Sequence, residues 1–479
     1  MSFKTRLLSN KTVTQGSSEE ACPDLLLFHQ HNRQRYPFLL RSSASRDNNT
    51  QFDILMACPQ EVLTLHADKT LSLTNINNHS SKLIEVADCG FFAALETLYN
   101  KDKTSAGSDS LPFTGGWFVY LSYEMAEEVE PCLNMPALPA EQPLAVATRC
   151  PAAILFDKKN NQTIAIAETE FDYLLDELEQ DYLTLSTKRA DEKRLNNEDT
   201  IAIDSIVEAD VTSYLNQVKK IKQYIVDGDI FQANLSRQWK VLLKKDIDDV
   251  CLFAALSKQN PSSFAALACL NNLTIISSSP ERLVSIRNGI VETRPIAGTR
   301  PRDNDLLSDA ALAKDLLTHP KERAEHIMLI DLERNDLGRV CRPGSIEVNE
   351  LMALESWQHV HHIVSNVRGE LGSNKSPVDV LRAVFPGGTI TGCPKVRCIE
   401  ILAELEQEAR GAYTGSLGYI NTDGSMDFNI LIRTMVRETS SPNRQVTFRA
   451  GGGIVNDSIA ESELEETRAK AKGLLKIFS

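Results

Sequence analysis

The chain has 479 residues, enough for roughly two to four domains or for one large sandwich. It carries 51 Lys and Arg against 65 Asp and Glu, and this net charge of −14 disfavours nucleic acid as the main partner. No apolar run is long enough to span a bilayer, and the polar N-terminal stretch lacks the apolar core of a signal peptide. The ten cysteines are scattered without a Cys-x-x-Cys pair, which favours reduced thiols over disulfides or a zinc site. We therefore expect a cytoplasmic protein with no membrane segment.

Residues 1–185 have the pattern of a mixed α/β region of short strands. Strands are predicted at Phe52–Ala57 and Ala152–Asp157, and a helix is predicted at Phe171–Leu185. The next stretch is charged and has almost nothing to bury, which is typical of a surface linker. The predicted organisation is a segment of residues 1–185, a linker of residues 186–204 and a second segment of residues 205–479.

Four helices are predicted in the second segment, the last of them a polar helix at its C-terminal end. The first is capped by Asp210 or Thr212 and ends at Gly228. The second is a long helix at Leu306–Leu337. The third, at Val396–Glu406, follows a proline at the favoured first helical position.

Strands outnumber helices in the second segment. They are predicted at Ile230–Leu243, Leu273–Ser278, Leu283–Ile286, Trp357–Leu371, Thr414–Ile420, Asp427–Val436 and Val446–Arg449. The hairpin-like turn at Asn421–Gly424 indicates antiparallel pairing. We therefore expect an α+β fold, a sandwich of two packed antiparallel β-sheets with helices on the outside.

Three glycines, Gly451–Gly453, lie between the last predicted strand and a polar helix. Consecutive glycines indicate close backbone approach or positive φ. On the helix, Glu463, Glu466 and Lys470 lie on one face at i, i+3 and i+7. Two carboxylates a turn apart suit Mg²⁺, which binds few protein carboxylates and keeps positions for substrate oxygens. For the charges alone, a solvated salt-bridged helix face is the competing interpretation.

A glycine-rich loop at Phe385–Lys395 precedes another helix. It does not match a nucleotide phosphate loop, because no Gly-Lys-Ser/Thr follows at the required spacing. Free N–H groups at a helix start nevertheless attract an anion, a carboxylate included. With three glycines and two threonines together, binding is favoured over a purely structural turn.

Two polar residues are predicted inside strands. Arg433 lies among apolar neighbours, where a guanidinium is costly unless it is paired. Either it pairs with a structural carboxylate or it binds an anionic ligand in a bidentate manner. Strand alternation puts His362 on the face opposite to His361. For both His361 and His362, the default interpretation is a hydrogen-bonded histidine in the core.

Three glutamates keep two interpretations each. Glu281 ends a strand at a proline turn, and it could act as a general acid if an apolar wall raises its pKa. Otherwise it is an ordinary turn residue. Glu325 could supply a third metal oxygen, and Glu322 could pair with a neighbouring base. For both, a solvated helix face is the alternative.

In their order along the chain, these segments resemble the chorismate-utilising enzymes. That family includes component I of anthranilate synthase and of aminodeoxychorismate synthase, and the isochorismate and salicylate synthases. The resemblance covers residues 205–475 strongly, and residues 1–185 resemble the family's lid-like first half more loosely. It rests on the motifs Ile230–Ser236, Ser278–Arg282, Pro295–Thr299, Asp331–Leu337, Phe385–Lys395 and the C-terminal glycine–glutamate segment.

The resemblance implies an anthranilate synthase component I-like fold with one catalytic centre between two sheets, where Mg²⁺ binds a chorismate carboxylate. Glu281 corresponds to the general acid for the departing C4 hydroxyl, and His362 to the histidine beside the reacting ring. Local cations and helix-start amides would then recapture a dianion despite the acidic net charge. The implied metal ligands are Glu325, Glu463 and Glu466, and the implied substrate-binding residues are Tyr413, Arg433, Lys470, Thr389, Gly452 and Gly453.

Two further positions bear on the nucleophile. Family members that add water have a lysine base where this chain has Gln232, and a glutamine cannot deprotonate water. The resemblance therefore implies ammonia, supplied by a separate glutamine amidotransferase subunit. Many aminodeoxychorismate synthases also have a lysine, proposed to attack C2, where this chain has Ala297. Alanine at that position is as in anthranilate synthases.

Within the family, Tyr36–Ser42, Gln51–Leu55 and Gly415–Tyr419 look like aminodeoxychorismate synthase. Anthranilate enzymes typically have Leu-Leu-Glu-Ser where Leu39–Ser42 stands, and its absence argues against their usual tryptophan feedback site. We therefore expect Mg²⁺-dependent amination of chorismate to 4-amino-4-deoxychorismate, on the route to 4-aminobenzoate and folate. Anthranilate synthesis is the enzymatic alternative. A non-catalytic chorismate-binding subunit is disfavoured by the near-complete set of acids.

Overall fold

Two antiparallel sheets of twelve strands each form the framework. The computed structural model describes residues 2–8, 23–42, 51–76, 80–84, 90–104, 110–186, 200–303, 305–356, 360–439 and 444–479. Helices pack against the outer faces of the sheets. The predicted α+β sandwich is therefore confirmed.

The elements of the N-terminal segment are mostly short strands. Its strands are β1 Phe3–Leu7, β2 Phe38–Arg41, β3 Phe52–Ala57, β4 Glu61–Leu65, β5 Leu71–Asn75, β6 Ser80–Ile84, β7 Gly116–Leu121, β8 Ala145–Cys150, β9 Ala152–Asp157 and β10 Gln162–Glu168. Its helices are α1 Leu25–His31, α2 Phe91–Asp102, α3 Ala126–Val129 and α4 Leu174–Ser186.

The elements of the C-terminal segment are longer. Its strands are β11 Ile203–Glu208, β12 Gln232–Leu243, β13 Phe264–Leu270, β14 Leu273–Ser279, β15 Arg282–Arg287, β16 Ile290–Thr293, β17 Ile296–Pro301, β18 Glu347–Ser356, β19 Val360–Glu370, β20 Gly392–Cys393, β21 Ser416–Asn421, β22 Met426–Asn429, β23 Thr434–Glu438 and β24 Gln445–Ile454. Its helices are α5 Val211–Val226, α6 Asp249–Gln259, α7 Leu306–Thr318, α8 Pro320–Gly338, α9 Pro377–Val384, α10 Lys395–Glu406 and α11 Ala460–Leu475.

Each sheet contains strands from both segments. The first sheet has the order β1-β10-β9-β3-β2-β13-β14-β23-β24-β12-β11, with β20 also paired to β12. The second has the order β17-β19-β16-β15-β22-β21-β7-β8-β4-β5-β6, with β18 also paired to β19. The segments join at β2–β13 in the first sheet and at β7–β21 in the second. Residues 187–199 of the predicted linker lie outside the described residues, so the division at 186–204 stays a prediction.

Apolar side chains fill the space between the sheets and the space beneath the helices. Phe38 of the first sheet stacks on Phe118 of the second with ring centroids 3.7 Å apart. Outside the first sheet, α1, α4, α6 and α11 cover a second apolar cluster, and α2, α8 and α9 contribute to one on the second sheet. This layering follows from strands that present apolar residues on both faces, which sheets covered on both sides require.

Two predicted elements are wrong in their continuity. The predicted helix Leu306–Leu337 is two helices, because His319 adopts an extended conformation and Pro320 starts a new helix. The predicted strand Asp427–Val436 is two strands, β22 in the second sheet and β23 in the first. Residues 430–433 cross between the sheets, and Arg433 has a φ of 51°. Arg433 is therefore at a crossing and not inside a strand.

Two further boundaries differ from the prediction. The last strand does not end at Arg449 but continues through the three glycines to Ile454. Pro394 precedes α10 as its N-cap and is not its first helical residue. The remaining predicted strands and helices are confirmed to within a few residues, except that residues 357–359 lie outside the described part of the chain.

Candidate active site

The site lies where two chain segments pass from one sheet to the other. Pro280 and Glu281 connect β14 of the first sheet to β15 of the second, and residues 430–433 connect β22 back to β23. The crossings are hydrogen-bonded together: the Ile430 amide donates to the Glu281 carbonyl at 3.0 Å and the Ser278 amide to the Arg433 carbonyl at 3.1 Å. Backbone bonding therefore holds Glu281 and Arg433 side by side.

Glu281 is a buried acid with a single close side-chain donor in the described structure. The carboxyl group accepts a hydrogen bond of 2.7 Å from Thr389 Oγ1, which lies in the short 3₁₀ turn Gly388–Ile390 of the glycine-rich loop. Burial raises the pKa of Glu281 to about 7, while the Thr389 hydroxyl and the charges of Lys470 and Arg433 lower it. A carboxyl group in this state can hold and release a proton near neutral pH.

Arg433 is partly buried next to this acid. No hydrogen bond or ion pair of its guanidinium is found among the described residues, and burial lowers its pKa while the nearby Glu281 carboxyl raises it. The first of the two interpretations of Arg433, pairing with a structural carboxylate, is therefore not found in the part of the chain that the structure describes. A desolvated cation without a partner is the arrangement expected of an anion ligand.

The glycines of β24 bring helix α11 and β12 close to each other. Gly453 faces Asn234 in the β12–β24 ladder, and a Cβ at Gly453 would lie 2.1 Å from Gln232 Nε2. A Cβ at Gly452 would lie 3.4 Å from both Glu463 Oε2 and Glu466 Oε1. Of the two reasons given for consecutive glycines, close approach applies here, because none of the three has a positive φ.

Three predicted metal ligands border this stretch. Glu463 is buried and accepts 2.6 Å from Ser458 Oγ, and Glu466 is half exposed on the next turn of α11. Glu325 on α8 accepts a long hydrogen bond of 3.4 Å from Gln232 Nε2. Within the described ranges, no three His, Cys, Asp or Glu side chains lie close enough to hold a metal ion. The pair flanking Gly452 fits Mg²⁺ chemistry, which needs only one or two protein carboxylates.

Lys470 and Tyr413 lie on either side of Gly451. Lys470 Nζ donates to the Gly451 carbonyl at 2.9 Å and pairs with Glu466 Oε1 at 2.8 Å. The Tyr413 hydroxyl would lie 2.8 Å from a Cβ at Gly451, and burial raises the pKa of this phenol to about 12. The salt-bridged helix face considered for α11 is thus present for Lys470 and Glu466, while Glu463 points inward.

His362 and Ala297 lie together on β19 and β17. His362 is buried with its ring nitrogen Nδ1 3.3 Å from the Gly298 carbonyl, and burial lowers the pKa of the imidazole to about 4. Arg433 also lowers this pKa, which places His362 within its electrostatic reach. Ala297 is buried opposite Ile363 in the ladder. Glu322 pairs with Arg300 at 3.2 Å, which agrees with the predicted pairing to a neighbouring base and not with the alternative of a solvated helix face.

Sequence reasoning missed several residues that support the site. Ser458, which donates to Glu463, lies between the three glycines and α11, and the sequence predicted no role for it. Asp336 and Lys395 form a buried ion pair of 2.6 Å behind the glycine-rich loop. The sequence signal for a buried acid was the position of Asp336 between Leu332 and Leu337. A residue next to apolar residues at this helical spacing points toward the interior.

Residues 38–476 match the family model described as chorismate binding enzyme, and the chain belongs to this family. An aminodeoxychorismate synthase component 1 of Bacillus subtilis is 38% identical over 407 residues, covering 83% of this chain and 84% of the relative. An anthranilate synthase component 1 of Acetivibrio thermocellus is 34% identical over 465 residues, covering 94% and 91%. The crystal structure of anthranilate synthase component I from Streptococcus pneumoniae TIGR4 superposes with a TM-score of 0.74 at 29% identity, covering 96% of this chain and 100% of that one. The protein is therefore a chorismate-utilising enzyme.

A cavity between the sheets lies beside the tract Leu39–Ser42. Its lining includes Arg41, Arg287 and Asp427. Arg41 pairs with Asp53 at 3.3 Å and also with Asp24. A glutamate at position 41 would face these two carboxylates, so the surroundings of this position are matched to a cation.

No helix in the described part of the chain combines the length and the apolarity that crossing a bilayer requires.

Proposed function

We propose that the protein is component I of an aminodeoxychorismate synthase, which converts chorismate and ammonia into 4-amino-4-deoxychorismate and water. The observation that carries this proposal is the buried Glu281 carboxyl group, held by Thr389 beside Arg433, whose guanidinium has no partner among the described residues. The reaction must expel the C4 hydroxyl, which is a poor leaving group until it is protonated. Glu281 is the proton donor: the C4–O bond breaks as water leaves, the C–N bond forms, and the new ammonium group loses one proton.

The substrate is held by charge and hydrogen bonds around this acid. Arg433 pairs with one chorismate carboxylate, and Tyr413 and Lys470 add donors. Thr389, whose hydroxyl hydrogen is donated to Glu281, lies beside the substrate. A side chain at Gly452 would reach Glu463 and Glu466, and one at Gly453 would meet Gln232, so these two glycines leave those groups in place beside the substrate. Together these groups make a local positive pocket in a protein whose net charge is −14.

Mg²⁺ is the proposed cofactor, held by Glu463 and Glu466 with Glu325 as the third carboxylate. When bound, the ion neutralises a carboxylate of chorismate and fixes its orientation. Lys470 would exchange its contact with Glu466 for the substrate. His362 stays neutral at physiological pH, since the pKa of its imidazole is about 4, and it contacts the ring as an uncharged hydrogen-bonding group.

Ammonia is the proposed nucleophile. The position that would hold a base for water is Gln232, whose amide donates toward Glu325 and cannot accept a proton. Both relatives are named as component 1 of an enzyme, so we propose a separate glutamine amidotransferase as the ammonia source. The eight cysteines that the structure describes are free thiols, which supports a reducing, cytoplasmic location.

Anthranilate synthesis is the second candidate. Ala297 supports it, because no lysine at this position can form a covalent link to C2. The relative of Acetivibrio thermocellus also carries that name. Against it, Arg41 with its partners Asp24 and Asp53 replaces the acid of the Leu-Leu-Glu-Ser tract. Both candidates use the same acid and the same cations, and they differ in the carbon that is aminated and in the release of pyruvate.

A product assay separates the two. Purified protein is incubated with chorismate, Mg²⁺ and ammonium, with and without an aminodeoxychorismate lyase. We expect 4-aminobenzoate only when the lyase is present. Anthranilate fluorescence and pyruvate without the lyase would show the second candidate to be correct. Glutamine in place of ammonium should give no product until the glutaminase subunit is added.

A further inference from the structure

A single buried ammonium group ties together both ends of the glycine-rich loop. Lys395 is the first residue of α10, and its Nζ donates to the carbonyl of Val384, the last residue of α9, at 3.2 Å. The same Nζ pairs with Asp336 Oδ2 of α8 at 2.6 Å. The loop of residues 385–394 is therefore closed at its base by one side chain and anchored to a third helix.

The pair is built into the interior. The side chain of Asp336 is 1% exposed and that of Lys395 is 13% exposed. Asp336 Oδ1 has no hydrogen-bond partner in the described structure, so Lys395 is the main compensation for this charge. A buried pair of this kind is weak evidence of stabilisation, and it is better explained by a requirement for a fixed geometry.

The middle of the loop also rests on α8. A Cβ at Gly388 would lie 2.2 Å from Leu332 Cδ2, so the turn that carries Thr389 packs directly on the helix. On its other side the loop is bound to β12: the Phe231 amide donates to the Cys393 carbonyl at 2.8 Å and the Asn234 amide to the Thr391 carbonyl at 2.9 Å. Displacement of the loop would move both Thr389 and the start of β12.

Two side chains of the proposed reaction depend on this placement. Thr389 supplies the hydrogen bond to Glu281, and Gln232, the first residue of β12, pairs with Cys393 in the ladder. The buried carboxyl group of Glu333, one turn before Asp336, lies within electrostatic reach of Glu281 as well. The base of the loop and the candidate acid thus belong to one packed unit.

We propose that Asp336 and Lys395 are positioning residues that hold the loop so that Thr389 donates its hydrogen bond to Glu281. The inference rests on the proposed function in taking Glu281 as the acid. Neither residue touches the reacting atoms, because both lie behind the loop, where they bond to each other, to Val384 and to Asn335. Their effect on the reaction is transmitted through Thr389.

The test compares Lys395→Met with the double variant Asp336→Leu/Lys395→Met. The double variant replaces the buried pair by apolar side chains, which commonly leaves a fold intact even where the single variant does not. Chorismate consumption is measured with saturating ammonium and Mg²⁺. In both variants we expect kcat to fall about 10- to 100-fold, while the KM for chorismate changes by less than about threefold. The reason is that small displacements of reacting groups lower the rate of the chemical step. Arg334→Met is the control, since its pair with Asp331 lies exposed on the same helix.

Two readouts distinguish positioning from general damage. Loss of the Thr389 hydrogen bond should shift the basic limb of the pH profile to higher pH, because this bond lowers the pKa of Glu281. Thr389→Val should lose little further rate in the double-variant background, since both changes remove the same contact. Wild-type kcat and pH profile in a folded double variant, or additive losses with Thr389→Val, would overturn the inference. If the wild type itself fails to consume chorismate, the proposed function is what has failed.

Discussion

Glu281 combines two features that oppose each other in their effect on its pKa. Burial raises the pKa of the carboxyl group to about 7, and a hydroxyl donor with two nearby cations prevents a larger rise. The result is an acid that is still substantially protonated near pH 7 and can donate its proton. A turn glutamate without a function would be under no constraint to be buried beside a cation.

Glu281→Gln tests the role of this proton. The amide has nearly the same shape and can still accept from Thr389, but it cannot donate a proton to a leaving hydroxyl. We expect kcat to fall by about 10²- to 10⁴-fold, with chorismate binding retained within a few-fold. Steady-state rates and equilibrium binding of chorismate measure the two quantities. Unchanged turnover would remove Glu281 as the acid.

The pH dependence follows from the same group. A general acid is active in its protonated form, so kcat/KM should be highest below the pKa of Glu281 and fall as pH rises above about 7. The slope should approach tenfold per pH unit on this limb. A pH profile of kcat/KM at saturating ammonia, corrected for the ammonia–ammonium equilibrium, measures it. A flat profile between pH 6 and 9 would contradict this assignment.

Arg433 and Arg437 form a matched pair for testing what an arginine near the site does. Arg437 pairs with Asp249 at 2.8 Å and also with Asp246, whereas no partner of Arg433 is found among the described residues. We expect Arg433→Met to raise the KM for chorismate about 10- to 100-fold, the loss of a charge-assisted hydrogen bond, without lowering thermal stability. Arg437→Met should leave the KM unchanged and destabilise by about 1–3 kcal/mol, because the buried Asp249 loses its closest cation. The reverse pattern would make Arg433 a structural residue.

At the scale of elements, the glycine strand β24 has separate structural and functional positions. A Cβ at Gly451 would lie 2.5 Å from the Leu235 carbonyl oxygen, which belongs to the backbone and cannot move away. A Cβ at Gly453 would instead meet the end of the Gln232 side chain, which can rotate out of the way. Gly451 is therefore required by the close pairing of β24 with β12, and Gly453 leaves room for the Gln232 side chain.

Alanine variants should separate these two roles. Gly451→Ala should destabilise by about 1–3 kcal/mol through overpacking. Gly453→Ala should cost less than about 1 kcal/mol but reduce kcat about tenfold or more by displacing Gln232. Gly473→Ala in α11, with no neighbouring atom closer than 3.8 Å, is the control and should be neutral or slightly stabilising. Thermal unfolding and chorismate turnover are measured for all three variants. A fully active Gly453→Ala would show that the reaction does not depend on the position of Gln232.

The same elements show how far sequence reasoning reaches. Periodicity located most strands and helices, since it depends only on local alternation of apolar residues. It did not find the crossing at 430–433, because Ile430, Leu431 and Ile432 look like a continued strand. Their change of sheet depends on bonding to Glu281 and to the loop before β21, which lies far away in sequence. The role of Arg433 as an unpaired cation was accordingly left open by the sequence.

For the whole molecule, the arrangement of the sheets explains why the site residues are scattered along the chain. Both crossings between the sheets lie next to each other, and α8 and α11 add carboxylates from outside. Family motifs could identify these residues because the motifs occur in this chain in the same order as in the family. The distances between the residues, however, depend on the folded sandwich. The buried pair Asp336–Lys395 shows the limit, since two charged residues 59 positions apart carry no local signal of contact.

Ligand binding should therefore stabilise the entire fold and not only a loop. A ligand at 100 times its Kd adds about 2.7 kcal/mol to the free energy of unfolding. We expect chorismate to raise Tm more in the presence of Mg²⁺ than in its absence, and Glu466→Ala to remove most of this Mg²⁺-dependent increment. Without ligand, the Tm of Glu466→Ala should differ little from that of the wild type. Glu466 and Lys470 form a half-exposed ion pair, which contributes about 0–1 kcal/mol to the free energy of unfolding. Glu465→Ala is the matched control, an exposed neighbour that pairs with Arg468 and faces away from Gly452. A Mg²⁺ titration of Glu466→Ala that matches wild type would exclude this carboxylate as a ligand and leave the metal to be held by other groups.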